Sequence, residues 1–544
     1  MSKVAAYLNE HLLGEVVVDE AVRNRLSTDA SVLKIKPEMV VYPWTTNDIR
    51  KVARFAWQLA EKGHVLPLTA RGAGFDDTGA AISKGALIVT TAHMNQVFEY
   101  DAKQKLIRVQ PGASAAAVDA ALRLQGATIP ALGSDLNYVT IGGAVAYGSS
   151  NHMSGKYGTM ENWVSQLEVV LASGDVLQTQ RLSKRELNRK KGLQGYEGDI
   201  YRKLDTLIDD NKELIADQLS DENDSVGYSS LSRVKAKDGS FDLMPLFVGS
   251  QGTLGIISEM ILKTEFVSSE SSIAVMAFAS SDVARDAVDE LVRMRPSSLE
   301  YIESAYFEAA REQGKRYKAY EDAAKEQAVE VVLIIGFDDF NARAQKKGLA
   351  KAKKIANKYD ASFVSSEDTN SDELRAMRSV TIFTNIPQGK GSISPPLFNG
   401  AYVPFERFEL FSQGVAELAK KHHVSLPLYV RPYEGIVETR PNLNLSKVGD
   451  RQKVFRLLDE YAALIASHSG YLVGESREGR FKSQAAYKQV NEELRDLFKK
   501  VKDIFDPQGI LNPGVKQPGE LKTIISQLNV EHSAASTAGH TPRR

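Results

Sequence analysis

The chain of 544 residues contains no cysteine. That absence excludes disulfides, thiolate nucleophiles, cysteine-ligated iron–sulfur clusters and any cofactor tethered through a thioether. It fits a reducing compartment without requiring one. An excess of charge is missing too. With 68 basic and 69 acidic residues the formal net charge is -1, so the balance gives no reason to expect nucleic acid or a strongly anionic membrane as partner. No segment approaches the ~20 uninterrupted apolar residues of a membrane span. The N-terminal stretch Met1–His11 has no continuous apolar run of the secretory type. These absences predict a cytoplasmic chain, either free or peripheral at the inner face of a membrane. Solenoid repeats and long low-complexity tracts are also lacking. What is present, 43% hydrophobic and 25% charged positions, is a globular composition with room for two or three domains. Residues 530–544, rich in Ser, Ala, Thr and Gly, are expected to form a disordered tail.

Glycine is placed more tellingly than any other residue. Arg71-Gly72-Ala73-Gly74-Phe75-Asp76-Asp77-Thr78-Gly79 is followed by a second glycine-rich turn, Thr140-Ile141-Gly142-Gly143-Ala144-Val145-Ala146-Tyr147-Gly148, and by a third at Gly249–Gly255 with Gly252 at its centre. Glycine reaches positive φ and lets an anion approach backbone N–H groups closely. Taken singly, each segment reads equally well as an ordinary tight turn. Together they predict a cradle for a large diphosphate cofactor. The first is not the usual dinucleotide fingerprint, because Asp77 stands where the third glycine belongs.

Around these turns the pattern alternates. Residues 1–37 predict a helical lead-in. Thr46 or Asn47 would cap a helix whose apolar face is Val52, Phe55, Ala56 and Leu59. Strand-like runs occur at 65–69, 86–90 and 106–109, an alanine-rich helix at 115–124, and a hairpin at 167–179. A charged insertion covers 181–235, and strand texture returns at Leu243–Val248 and Ile256–Leu262. From about residue 268, strands such as Ile273–Phe278 and Val329–Ile335 alternate with amphipathic helices near 282–294, 340–358, 406–421 and 450–468, which argues a second domain of α/β or α+β type. A long charged helix is expected from Gln484 to Ile504, ahead of the Pro/Gly cluster Asp506–Gly514.

The ordered set Ser27–Ser31, Arg71–Gly79, Thr140–Ala146 with Lys156-Tyr157-Gly158, Gly249–Gly255 and Phe505–Gly514 resembles flavoproteins with the vanillyl-alcohol-oxidase (PCMH-type) FAD domain. Within them it is most similar to the D-lactate, glycolate and D-2-hydroxyglutarate dehydrogenase group. The resemblance implies an α+β fold. An FAD-binding domain of two α+β subdomains would span 1–267, a cap (substrate) domain of α/β type 268–470, and a segment returning to the FAD domain 471–517. It implies that backbone groups of Arg71, Gly72, Ala73, Gly74, Phe75, Asp76 and Gly79 hold the diphosphate. Thr140, Gly142, Gly143 and Ala146 would line the flavin, with Gly252, Ile257 and Asn512 completing the site. Without Cys, or His in the first turn, the FAD is expected to be non-covalent.

Oxidation of a 2-hydroxy acid needs a cation for the carboxylate and a group to take the hydroxyl proton while hydride leaves for the flavin. By resemblance Arg378 is the carboxylate binder. Two family motifs are altered. The His-x-Gly-Asp-Gly-Asn-x-His segment of metal-dependent members appears as Arg431-Pro432-Tyr433-Glu434-Gly435-Ile436-Val437-Glu438, and arginine does not ligate metals, so no metal is expected. Gly-Glu-His-Gly appears as Gly474-Glu475-Ser476-Arg477, with serine for the active-site histidine. Replacement bases are Glu475, Glu438, Tyr402 and His152. Arg431, Arg440, Arg477 and Arg480 read either as a cationic pocket or as salt bridges to nearby glutamates. The expected partners are a small hydroxy-acid or alcohol substrate and an electron acceptor such as a quinone or cytochrome, with peripheral membrane contact allowed. Two alternatives stand beside this reading: a sugar, polyol or other alcohol oxidoreductase of the same fold, and a non-catalytic flavin-binding or electron-relay subunit.

Overall fold

A computed structural model of the chain describes residues 2–132, 136–268, 271–385, 395–475 and 477–530. Ser476 and the expected tail from 531 onward lie outside these residues.

The lead-in is not wholly helical. Helices Ser2–His11 and Glu20–Arg25 flank a strand, Glu15–Val17, that pairs antiparallel with Met39–Tyr42. Asn9 turns the chain back on itself: its Nδ2 donates to the Val16 carbonyl at 2.9 Å and its Oδ1 accepts the Val16 N–H at 2.7 Å. Met39–Tyr42 and Leu68–Arg71 each run parallel to Ala86–Val89, completing a four-stranded sheet. The helix Thr46–Glu61 buries Ile49, Val52, Ala53 and Ala56 against it, and its cap falls on Thr45, one residue earlier than the sequence suggests. Asp48 fixes that start by accepting N–H bonds from Leu13, Gly14 and Trp44.

A second subdomain is a five-stranded antiparallel sheet in the order Val97–Asp101, Leu106–Val109, Ile256–Lys263, Val164–Val170, Val176–Gln178. Three local expectations are corrected around it. Leu243–Val248 is not a strand but carries the helical turn Met244–Phe247, because Pro245 lies in its first turn, where proline's fixed φ suits a helix. Thr140–Gly148 is not a turn but a helix, Ile141–Tyr147. Thr140 Oγ1 caps it by accepting the Gly143 N–H at 3.2 Å, and Gly148 ends it at φ +70°. The long charged helix is two, Ser483–Lys488 and Glu492–Phe505, since Asn491 starts a new one by accepting the Leu494 N–H.

Beyond Ser272 the chain builds a seven-stranded sheet whose pairings are antiparallel throughout, the α+β arm of the expectation. Its strands Ser272–Phe278 and Val331–Phe337 are near-continuous apolar runs because both faces are covered. Along Ser272–Phe278, Ala274, Met276 and Phe278 pack toward helices Ser281–Val292 and Ala342–Lys358, while Ile273, Val275 and Ala277 pack toward Ala305–Glu312 and Lys318–Glu326.

The C-terminal segment then returns to the first sheet, where Leu511 pairs with Leu68. Lys502, buried beneath this return, uses all three ammonium protons, on Asp506 Oδ2 at 2.6 Å and on the carbonyls of Thr253 and Leu511 at 2.7 Å each. Among the described residues no helix is long and apolar enough to cross a membrane.

Candidate cofactor and substrate site

The three glycine segments meet. A Cβ at Gly72 would collide with Thr140 Oγ1, so the first segment lies directly on the cap of the second. Gly249 and Gln251 donate their N–H groups to the carbonyls of Val145 and Ala146 at 2.9 Å, joining the third to the second. Gly74, at φ +79°, leaves no room for a side chain because the Arg71 guanidinium lies over it. Arg71 is buried, with Nη1 donating to the Ala81 carbonyl at 3.1 Å and Nη2 facing no partner. A buried guanidinium nitrogen, unpaired among the described residues, beside a glycine loop suits an anionic diphosphate. The residues present therefore fit FAD.

Not every residue of the first segment turns to that cradle. Asp76 Oδ1 accepts from the Thr78 N–H, the Thr78 hydroxyl and the Ala80 N–H, and Oδ2 accepts from Gln251 Nε2 at 3.2 Å. Its carboxylate shapes the loop. Asp29 beneath it is pushed up to about 7, first by burial and then by the Asp76 charge. Phe75 is half exposed and stacks on Tyr138 with centroids 5.7 Å apart. Gly79, at φ +80°, packs on Leu33, Gly252 at φ +71° faces open space, and Ile257 sits in the central strand opposite Val169. Gly142 is pressed against Pro111 and donates its N–H to that carbonyl.

Asn512 is held on all sides by its own amide. Its Oδ1 accepts from Thr69 Oγ1 at 3.0 Å and Arg480 Nη2 at 2.9 Å, and its Nδ2 donates to the carbonyls of Ala80 and Gln251 at 2.8 Å each. The side chain is a staple between the cradle's parts, held at φ +41°. Gln251, Thr69 and Asp77 were not foreseen. Asp77 accepts from Tyr147 on the FAD side at 3.0 Å and from Asn399 on the cap side at 3.1 Å, so it spans the two units. Gln251 and Asp77 carried a signal in their places inside the third and first glycine segments, and Thr69 carried none.

A polar chamber lies where the helix Ile141–Tyr147 and the residues after it meet the cap sheet. Arg378 donates from Nε to Glu300 Oε2 at 2.5 Å and from Nη2 to Ser298 Oγ at 2.6 Å. Glu300, wholly buried, also accepts the Tyr429 hydroxyl at 2.6 Å. Arg431 is ion-paired to Glu475 and reaches Ser150 Oγ with both terminal nitrogens at 3.2 Å. Arg378 and Arg431 both act on His152. Burial, then these two charges, push its pKa well below 6.5, so the imidazole is neutral at neutral pH. Glu434 accepts the Gly155 N–H at 3.0 Å through Oε1, its Oε2 is buried without a partner, and burial raises it to about 7.

The structure thus brings Arg378, His152 and Glu475 to one chamber. Tyr402, paired with Ile436 at the edge of the cap sheet, stacks on Tyr471, with Asp221 and Glu406 as its charged neighbours. The four arginines do not form a single pocket. Arg480 donates to Asn512 and the Ile82 carbonyl, Arg477 to the Tyr147 carbonyl, and Arg440 to the Thr381 carbonyl.

Comparison with known proteins agrees with this geometry. Residues 37–180 match the FAD binding domain model and residues 267–515 the model for the C-terminal domain of FAD linked oxidases. D-2-hydroxyglutarate dehydrogenase of Escherichia coli (strain K12) is 26% identical over 520 residues, 93% of this chain and 51% of that protein. The chain therefore spans about half the length of such relatives. The glycolate oxidase subunit GlcD of Bacillus subtilis (strain 168) is 24% identical over 489 residues, 88% of each chain. Among solved structures, 4-ethylphenol oxidase from Gulosibacter chungangensis shares the fold at a TM-score of 0.69 and 16% identity, covering 96% of this chain and 98% of that one. The chain is therefore built from the FAD binding domain and the C-terminal domain of the FAD linked oxidases, in the fold that 4-ethylphenol oxidase shares.

Proposed function

We propose that this chain is an FAD-dependent dehydrogenase of a 2-hydroxy acid that passes its electrons to a quinone, cytochrome or other carrier. The observation that carries the reading is the meeting of two guanidiniums, Arg378 and Arg431, on one neutral imidazole, His152, beside the glycine cradle. Arginine forks suit carboxylates. A substrate carboxylate would relieve the like charge that the two arginines place on each other and on His152. Arg378, braced by Glu300 and Ser298, orients that carboxylate. His152, neutral and hence a donor on one nitrogen and an acceptor on the other, holds the substrate's oxygen atoms without adding charge. The backbone of Gly72–Asp76 and the Arg71 guanidinium hold the FAD. When bound, FAD supplies the two-electron acceptor. The names of the relatives, D-2-hydroxyglutarate dehydrogenase, glycolate oxidase subunit and D-lactate dehydrogenase, support the same substrate class.

The test is anaerobic mixing of the FAD-loaded chain with D-2-hydroxyglutarate, D-lactate and glycolate while the flavin absorbance is followed. Bleaching by one of them is expected. No bleaching by any, at full FAD loading, refutes the reading.

A further inference from the structure

Five groups in or near the chamber are chemically able to take the proton of a substrate hydroxyl, and their surroundings separate them. Glu475 is engaged in the ion pair with Arg431. His152 is kept neutral by burial and by two arginines, and a proton added there would face both guanidiniums. Tyr402 stacks on Tyr471 with centroids 6.1 Å apart, and burial, then the Asp221 and Glu406 charges, raise its pKa further above 10, so its phenol already holds a proton at neutral pH. Glu434 is tied to the Gly155 N–H, and its second oxygen is sealed from the chamber's solvent.

Glu438 differs from all four. It lies on the strand Ile436–Thr439 directly opposite Tyr429, with Arg431 opposite Ile436. Alternation along both strands puts Glu438, Tyr429 and Arg431 on one face of the cap sheet. Val437 and Val430, between them, point the other way into the core. The Glu438 side chain is only partly covered and has no hydrogen-bond partner among the described residues. A carboxylate standing beside arginines with its oxygens unengaged is placed to receive a hydrogen bond from a ligand.

We infer that Glu438 is the proton acceptor for the substrate's carbinol, an assignment that rests on the hydroxy-acid reading above. The O–H bond breaks and its proton goes to the Glu438 carboxylate. The C–H bond breaks and its hydrogen leaves with the electron pair to the bound FAD. The carbinol carbon, now oxidised, becomes a carbonyl, giving the 2-oxo acid. The charged groups facing Glu438 are Arg440 on its own strand's extension, Arg431 on the neighbouring strand, Glu475 and Lys482 on the C-terminal segment and Asp77 on the first glycine loop, and the phenols of Tyr429, Tyr306 and Tyr461 also lie in its field. Burial raises Glu438 to about 7, Arg440 and Arg431 oppose that rise, and Glu475 and Asp77 add to it. A base of that strength is partly ionised at neutral pH and basic enough to hold the proton.

The test is Glu438→Gln in the full FAD-loaded chain, with whichever of D-2-hydroxyglutarate, D-lactate and glycolate bleaches the wild type. Flavin reduction is expected to slow about 100-fold or more, and the acid limb of its pH profile near pH 7 is expected to vanish. FAD content, and the affinity for the matching 2-oxo acid read from the flavin absorbance shift, are expected to stay within about threefold, since the amide keeps the shape. Glu438→Asp should recover part of the rate with the acid limb displaced. Wild-type rate and pH profile in Glu438→Gln would overturn the assignment and leave the hydroxy-acid reading standing. A slowing that only tracks lost FAD or lost 2-oxo-acid affinity would also overturn it. If no hydroxy acid bleaches the wild type, the functional reading itself falls and takes Glu438 with it.

Discussion

Replacing Asn512 by alanine would remove one side chain and loosen three segments at once. Its amide binds Thr69 at the entrance to the first glycine segment, Ala80 at its exit, Gln251 in the third segment and Arg480 of the C-terminal return. The residue is 1% exposed, so water does not readily substitute for the lost partners. At a net ~1 kcal/mol per buried hydrogen bond, the four bonds amount to roughly 4 kcal/mol. For a unit of this size that corresponds to a fall in Tm on the order of 10 °C. Because the loosened segments are the walls of the cofactor site, FAD affinity should fall in parallel. Thermal unfolding followed by flavin fluorescence, together with FAD titration of the apoprotein, measures both. Asn512→Asp is the sharper variant, since it sets a carboxylate oxygen against the carbonyls of Ala80 and Gln251 and should be at least as damaging as alanine. A variant Asn512→Ala that keeps wild-type Tm and FAD affinity would refute the idea that this side chain ties the site together.

Other outcomes follow from the same contacts. Gly72→Ala should displace Thr140 and weaken FAD binding about tenfold, with roughly 1 kcal/mol lost from the cap of the helix that follows; unchanged FAD titration would show that the two segments do not touch. Arg378→Met should raise KM for the hydroxy acid about 100-fold and also destabilise the fold by about 3–5 kcal/mol, because Glu300 loses its cation; adding Glu300→Gln should restore the Tm but not KM. Glu434 is raised to about 7 from an ordinary 4.5, so its contribution to stability is fully present below pH 4.5 and is lost as pH rises through 7. Glu434→Gln should therefore flatten the stability profile by up to about 3 kcal/mol, giving a Tm above wild type at about pH 8 and not at about pH 5; parallel pH profiles for the two proteins would contradict this.

The sequence made the cofactor side legible because its signals are local. Glycine at Gly72, Gly74 and Gly252 marks places where a side chain is excluded or φ is positive, and such constraints act within a few residues. The apolar runs of the seven-stranded sheet were equally plain. What stayed hidden was decided elsewhere in the chain or by one overriding residue. Pro245 turned an apolar strand-like run into a helical turn, and Asn491 divided a helix whose charge pattern is continuous. Thr140 made a helix of what glycine content alone presents as a turn. On the substrate side, Arg378 was found by its position, but not its partner Glu300, 78 positions away. Nor does any local pattern show that Tyr402 would turn to Tyr471 while Glu438 would not be engaged.

The staple at Asn512 also sets an order of events in the life of the chain. Thr69 and Asn512 are 443 positions apart, and the strand Leu68–Arg71 gains its last neighbour only from Leu511. During synthesis the first domain therefore emerges with an open edge and an unclosed cofactor cradle, and it stays so while the whole cap is being made. Contacts of such long range form late. Flavin capture thus waits for the C-terminal return: nascent chains stalled before Asp506 should emerge without FAD, and those carried well past Lys516 should retain it.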